Sequence, residues 1–491
     1  MEHTPRIAEK LLQDIWRTQN FTSKLKTFEG EELTVIDPGE LNYENAGPDF
    51  INARIKIGNF LFSGDIEIDK DYNNWKSHGH NINAKHNKVI LHACLTNLHN
   101  QFYVYSKDGR RITSICIKPF IDQSLLGNIN PDLNVVNEAS FIKCNFYADL
   151  IDFETKKKFL AKLGIDRFNR KSQKYLQRLK ELAYLKSLSI NEPVIKYQMH
   201  PNFENKQFQS NDFMDRELWE QLFYEIIFEA LGYSKNKNEM IKLSQYANVK
   251  FLKKLGKGPE TNKLFESALL NISGLVPKDK DEKVNGEFGY INELKNDWNK
   301  IVPIYDGETM FESEWQFLKL RPQNFPTLRI AGGSRIVYDI LYNNLIGLIS
   351  KKISEIYNFD VLTKSIRSLF IVKSRGFWKN HFVFKQKSNI EIKYLVGISR
   401  ADEIMINVVL PFFSLYFEIF NRRELSKKIL KIYSNYYQSS ENKIVSEVAD
   451  SLEVSDLLKK SIYAQGVLEL FRNFCSKKKC EECEIGKIVF N

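Results

Sequence analysis

The hydrophobic pattern of this 491-residue chain changes period once, and that change constrains the fold more than any other feature. From about residue 30 to residue 118, apolar and polar residues alternate, as in strands with one buried face. After Asp152, apolar residues recur at steps of three and four almost to the end, as in helices. A run of strands followed by a run of helices makes an α+β protein rather than a doubly wound sheet. The expectation is a small N-terminal mixed β-sheet domain with a flanking helix, followed by a large all-helical domain.

The flanking helix is read from Ile7, Leu11, Leu12, Ile15 and Trp16, which share one helical face. Candidate strands are 33–36, 51–57, 60–69, 88–96, 101–106 and 111–118. Gly58-Asn59 marks a tight hairpin between the second and third, and Lys107-Asp108-Gly109 marks another turn. Candidate helices are 153–188, 215–231, 239–251, 261–272, 334–353, 401–420, 424–436 and 445–474. The domain reading is 1–120 for the sheet, 121–150 as an irregular connector, 151–474 for the helices and 475–491 as a cysteine-containing tail. Residues 278–287 read as a charged loop.

A composition of 43% hydrophobic residues, with 13% of the chain aromatic, belongs to a globular chain rather than a disordered one. The longest apolar stretch, 404–420, is broken by Asn407, Pro411, Ser414 and Glu418. It is shorter than the roughly 20 residues that a membrane span needs, so it reads as a buried core helix. The opening residues Met1-Glu2-His3-Thr4-Pro5 are polar, and the expectation is a cytoplasmic protein without membrane association. A net charge of +10 makes DNA or RNA a candidate partner, while a basic surface without such a role is the alternative.

Gly47-Pro48-Asp49-Phe50 opens one strand, and Asp65-Ile66-Glu67-Ile68-Asp69 lies in the next. Strand side chains alternate, so Asp65, Glu67 and Asp69 share a face while Ile66 and Ile68 take the other. Carboxylates held together repel unless a cation or a proton sits among them. An acidic solvent face of an amphipathic hairpin is the competing reading. Four of the eight histidines follow within fifteen residues: His78, His80, His86 and His92. His78 and His80 in a loop could serve as ligands or proton carriers. His86 in a polar stretch reads as solvated, and His92 in an apolar strand as a core histidine.

An Asp on one strand and acids on the next, in a mixed sheet with a flanking helix, resemble the PD-(D/E)xK nuclease core. Pro48-Asp49 matches its first two letters. The resemblance implies Mg²⁺ held by Asp49 and Glu67 with Asp65 as helper, and a metal-activated water as nucleophile. The chain departs from the pattern at its lysine. Asp69 stands where Lys is required, Lys70 has the wrong parity, and only Lys56, Lys85 or Lys88 could supply the charge from elsewhere.

A longer set of strings carries a second resemblance. It comprises Gly47–Phe50, Gly64-Asp65-Ile66-Glu67-Ile68, Trp75-x-x-His78-Gly79-His80, Val89-Ile90-Leu91-His92, Ala230-Leu231-Gly232-Tyr233, Asn236-Lys237-Asn238-Glu239, Arg321–Pro326 and Gln465-Gly466. These resemble the bacterial DUF2851 family, a domain of unknown function, over nearly the whole chain. The resemblance identifies kin and implies no activity.

Cys475-x₄-Cys480-x₂-Cys483 near the C-terminus offers three thiolates, with Cys144 as the candidate fourth. A site of this kind would hold zinc or a four-iron cluster. By analogy, some PD-(D/E)xK nucleases are stapled by iron and sulfur. Reduced thiols without metal are the alternative. Arg167, Arg170, Lys171, Lys174 and Arg178 follow steps of three and four and share a helix face. Such a stripe tracks phosphates or, more commonly, faces solvent.

Taken together, these readings lead to the expectation of a metal-dependent phosphodiesterase or nuclease acting on nucleic acid. The alternative is a noncatalytic nucleic-acid or protein interaction module with a structural cysteine site.

Overall fold

Gly58, with φ of +56°, supplies the left-handed residue that a two-residue hairpin turn needs. Its closure pairs Ile57 with Phe60 and sets the register of the N-terminal sheet. A computed structural model describes residues 9–42, 47–97, 101–122, 142–188, 203, 205–233, 235–277, 288–318, 320–384, 386–437, 443–477 and 479–490. The charged stretch 278–287 and most of the expected connector lie outside the described residues. The chain forms two compact units: Met1–Glu138 with Trp315–Phe325, and Ala139–Glu314 with Pro326–Asn491.

The first unit is built on helix α1 (Glu9–Thr18) and strands β1 (Leu25–Lys26), β2 (Glu32–Asp37), β3 (Glu40–Leu41), β4 (Phe50–Ile57) and β5 (Phe60–Asp71). It continues with helix α2 (Asn74–Ser77) and strands β6 (Val89–Thr96), β7 (Tyr103–Tyr105) and β8 (Arg111–Cys116). The sheet runs β1-β2-β4-β5-β6-β8-β7, with β3 beside β4. It is mixed, because β5–β6 and β6–β8 are parallel while the other pairs are antiparallel. The apolar face of α1 (Leu12, Ile15, Trp16) packs with Phe50, Ile55, Ile66, Ile68 and Leu91. The opposite face holds a smaller cluster of Trp75, Val89, Val104 and Ile112. Strand β5 is therefore buried on both faces from Asp65 to Asp69, as parallel strands usually are.

The second unit is mainly helical. Its long helix α3 (Phe153–Ser187) is capped by Asp152, whose carboxylate accepts from Thr155 N. Helices α4 (Arg216–Leu231) and α5 (Lys237–Tyr246) follow. A continuous rod then comprises α6 (Ile398–Ile404), a π-helical turn Met405–Val409 and α7 (Leu410–Ile419). Helix α8 (Ser461–Leu470) runs into a second π-helical turn, Phe471–Cys475. Two short antiparallel ribbons, His381–Val383 with Gln386–Lys387 and Val372–Lys373 with Tyr394–Val396, interrupt the helical pattern. Glycine lets α3 and α8 approach closely. A Cβ on Gly466 would lie 2.0 Å from the Leu160 carbonyl, and one on Gly164 would lie 2.2 Å from that of Ile462. Among the described residues, no helix is long and apolar enough to cross a membrane.

Candidate metal centre

Parallel strands cannot be joined by a hairpin; they need a crossover. Between β5 and β6 the crossover consists of α2 and two single 3₁₀ turns, His80–Ile82 and Ala84–His86. Gly79, at φ +82°, separates α2 from the first turn. The Asn83 side chain caps the second turn by accepting from Lys85 N. This path carries His78, His80 and His86 across the face of β5 that bears Glu67 and Asp69. The register of the strands sets Glu67 opposite His92 of β6.

The outcome is a buried cluster of two carboxylates and four imidazoles. His80 Nε2 lies 3.1 Å from Glu67 Oε1 and 3.5 Å from Asp69 Oδ2. His86 Nε2 lies 3.5 Å from Glu67 Oε2, and His78 Nδ1 lies 3.0 Å from Asp69 Oδ1. Two triads of donor atoms, Glu67–His80–His86 and Asp69–His78–His80, each fall within 4.8 Å and share His80. Glu67, Asp69, His80, His86 and His92 have no exposed surface, whereas the His78 side chain is 28% exposed. His86, which sequence placed in solvent, is thus part of the cluster.

Two atoms at its centre, Asp69 Oδ1 and His80 Nε2, are buried and face His78 Nδ1 at 3.0 Å and Glu67 Oε1 at 3.1 Å. Imidazole nitrogens and carboxylate oxygens that converge at such distances share either a proton or a cation. Other contacts orient that set. His92 bonds Asp69 Oδ2 through Nε2 at 3.2 Å and Ser114 Oγ through Nδ1 at 3.0 Å. The Trp75 ring packs on His80, His86 and His92 with centroids 5.1, 6.0 and 5.3 Å away. Burial lowers the pKa of His80 and so favours the neutral, ligating imidazole, even though neighbouring Asp69 opposes the shift. Burial would raise the Asp69 carboxyl, but the imidazoles of His78, His80 and His92 hold it well below its ordinary value.

The acids singled out from sequence take different positions. Asp49 N–H donates to Glu67 Oε2 at 3.1 Å, while Asp49 Oδ2 accepts from Ile68 N at 3.0 Å. Gln13 Nε2 donates to Asp49 Oδ1 at 2.9 Å. Asp49 therefore clamps the Glu67 segment and stands outside both donor triads. Asp65 accepts from the main chain of Asn52, a left-handed residue at a bulge in β4. Burial raises its pKa. Lys56, Lys70, Lys85 and Lys88 are exposed, unlike the cluster. The acidic face is not a solvated one, because β6 and the crossover cover it. Asp69 and His86 were missed as site residues. The parity of Asp69 with Glu67 was the available signal; nothing local marked His86.

In the second unit, Cys144 and Cys483 are buried in one core cluster and Cys475 packs against it. Burial and the neighbouring thiols push Cys144 up to about 11 and Cys475 up to about 12. Both feel Cys480 and Cys483, so the four thiols are neighbours. Among the described residues, no three of their sulfurs lie within 4.8 Å of one another.

A family model described as "Protein of unknown function (DUF2851)" matches residues 9–187 and 189–443. No curated protein and no solved structure matches the chain.

Proposed function

The chain belongs to the DUF2851 family, and from that premise we propose that its first unit is a metal-dependent phosphodiesterase acting on nucleic acid. Glu67, Asp69, His78, His80 and His86 would hold the ion. The observation that carries this reading is the convergence of two donor triads, Glu67–His80–His86 and Asp69–His78–His80, on the buried His80 they share. An imidazole-rich set suits zinc, or manganese with its taste for carboxylates, better than the Mg²⁺ that carboxylates alone would select. When bound, such an ion lowers the pKa of a coordinated water and supplies positive charge to a phosphodiester. His78, the partly exposed member, stands where a proton can pass between the cluster and solvent. His92 and Ser114 fix the orientation of Asp69. The phosphodiester class draws support from the net charge of +10 and from the mixed sheet flanked by a helix that carries the cluster.

The test is metal analysis of the purified full chain, with DNA and RNA cleavage by wild type, Glu67→Gln and His80→Asn. Stoichiometric zinc or manganese in the wild type, lost with cleavage in both variants, is the expected outcome. A wild type that binds neither ion and cleaves neither polymer removes the reading.

We also propose a four-iron cluster at Cys144, Cys475, Cys480 and Cys483. The support is the gathering of four thiols at one core cluster, the ligand number such a group takes. Anaerobic purification should give a brown protein with iron and acid-labile sulfide; colourless protein with zinc alone overturns this assignment.

A further inference from the structure

We infer that the helical unit holds a site for a ligand that carries two or more phosphate groups. A cavity of about 800 Å³ opens between α3, α4, α5, the α6–α7 rod and the second π-helical turn. That volume is within the ordinary range of ligand sites. Seven of its lining residues are Lys or Arg and two are Glu. Four of the five residues of the basic stripe that sequence favoured as a solvated face, Arg167, Arg170, Lys171 and Lys174, therefore line a concave site.

Pairing within the protein leaves part of this charge uncompensated. Arg167 and Arg170 both bind Glu469, and Lys174 binds Glu229 at 2.7 Å. Among the described residues, Lys171, Lys237, Arg400 and Arg472 have no carboxylate within 4.0 Å. Lys171 Nζ has only the Asn407 carbonyl, at 3.3 Å. Arg400 donates to the Ala230 carbonyl and lies 3.2 Å from the centre of the Tyr233 ring. Burial lowers the pKa values of all four, and nearby cations lower those of Lys171, Lys237 and Arg472 further, while Glu229, Glu403 and Glu469 oppose the shifts. Cations gathered in excess of their counter-charge destabilise a fold and signal an anion that binds there.

The walls carry local departures from regular structure. Pro411 has no N–H to give to the Asn407 carbonyl one turn earlier. That carbonyl accepts instead from Tyr175 Oη at 2.7 Å and from Lys171. Both π-helical turns contribute to the lining, through Asn407, Val408 and Arg472. Such turns are frequent at functional sites. Tyr233, under Arg400, has a left-handed φ of +55°, a conformation that a bulky residue keeps only when its surroundings demand it. Seven cations face three carboxylates, Glu229, Glu403 and Glu469, and the excess of four exceeds the charge of a single phosphate, about −2 at most, so the ligand presents at least two. The site shares no residue with the metal centre.

Calorimetric titration of the full chain at low salt tests the site, with inorganic tripolyphosphate and a short single-stranded oligonucleotide as separate probes. Saturable binding of either supports it. Tripolyphosphate alone identifies a free polyphosphate-bearing ligand, and the oligonucleotide alone identifies a strand backbone. Lys237→Gln and Arg472→Gln should each weaken binding at least about tenfold while circular dichroism and metal content stay unchanged. Lys171→Met should abolish binding and raise the thermal midpoint without ligand, since it removes a buried charge that lacks a partner. The site is refuted if neither probe saturates, if the two glutamine variants bind as wild type does, or if Lys171→Met lowers the midpoint.

Discussion

Asp49 does two jobs with one residue: its main-chain N–H holds the Glu67 carboxylate, and its own carboxylate holds Ile68 N–H and Gln13. Replacing it by Ala leaves the buried Ile68 donor without an acceptor. Asp49→Ala should therefore lower unfolding free energy by about 2 kcal/mol. Although Ala keeps the N–H that holds Glu67, loss of the carboxylate frees the main chain at Ile68, between Glu67 and Asp69, so the variant should also weaken metal affinity about 10- to 100-fold. Urea denaturation and metal titration check the two effects; unchanged affinity would remove Asp49 from the support of the centre. Glu266 gives a pH prediction away from that centre. Burial raises its carboxyl pKa above 4.5, although donors from Tyr290 and Trp378 oppose the shift. A raised acid keeps its proton in the folded chain where the unfolded chain has lost it. Its contribution is thus fully present below pH 4.5 and is lost as pH rises through the folded value. Glu266→Gln, which still accepts from Tyr290 and Trp378, should flatten that decline in a series of denaturation midpoints. An unchanged slope would contradict the assignment.

At the scale of elements, the joint between α3 and α8 depends on missing side chains. Gly466→Ala would put a methyl 2.0 Å from the rigid Leu160 carbonyl, so the helices must separate. The expected loss is about 3 kcal/mol in chemical denaturation, at the upper end for overpacking. A loss below about 1 kcal/mol would mean that the joint is soft. The strands of the sheet were legible because alternation is local: expected 51–57 is observed as Phe50–Ile57. Helix breaks were less legible, since apolar spacing runs on through them. Residues 239–251 read as one helix but form Lys237–Tyr246 and Val249–Lys254. Asn248 caps the second by accepting from Phe251 N, a signal that periodicity overrode. Likewise 334–353 breaks at Asn344, at φ +50°, between Pro326–Tyr342 and Leu345–Glu355. Within the candidate site, Glu67 and Asp69 shared a face by parity alone. His86 could not be placed, because only the crossover path and the parallel β5–β6 register carry it to Glu67. The basic stripe was visible in its spacing. Its concavity was not, because that depends on Pro411, the π-helical turns and packing from helices far along the chain.

At the scale of the whole molecule, the two units have separate cores and separate candidate ligands, so each ligand should leave its mark on one unit. The sheet unit packs around Trp16, Phe50 and Ile66, and the helical unit contains a core cluster around Leu160, Val448 and Val467. A ligand that binds only the native state stabilises it by mass action, about 2.7 kcal/mol at one hundred times its Kd. Where the opening of a segment disrupts the site, that stabilisation slows amide exchange by about 100-fold in the same segment. Zinc or manganese should therefore protect Phe60–Asp71 and Val89–Thr96, which carry Glu67, Asp69 and His92 and flank the crossover histidines. Tripolyphosphate should protect Phe153–Ser187, Ile398–Ile404 and Met405–Val409 and leave the strands as they were. Hydrogen exchange of the full chain, with each ligand alone and with both, resolves the two marks. Calcium serves as a control, because an imidazole-rich site should discriminate against it. Metal-dependent protection confined to the helical unit would move the proposed centre away from the crossover. Equal protection by calcium would reduce that centre to a nonselective acidic site.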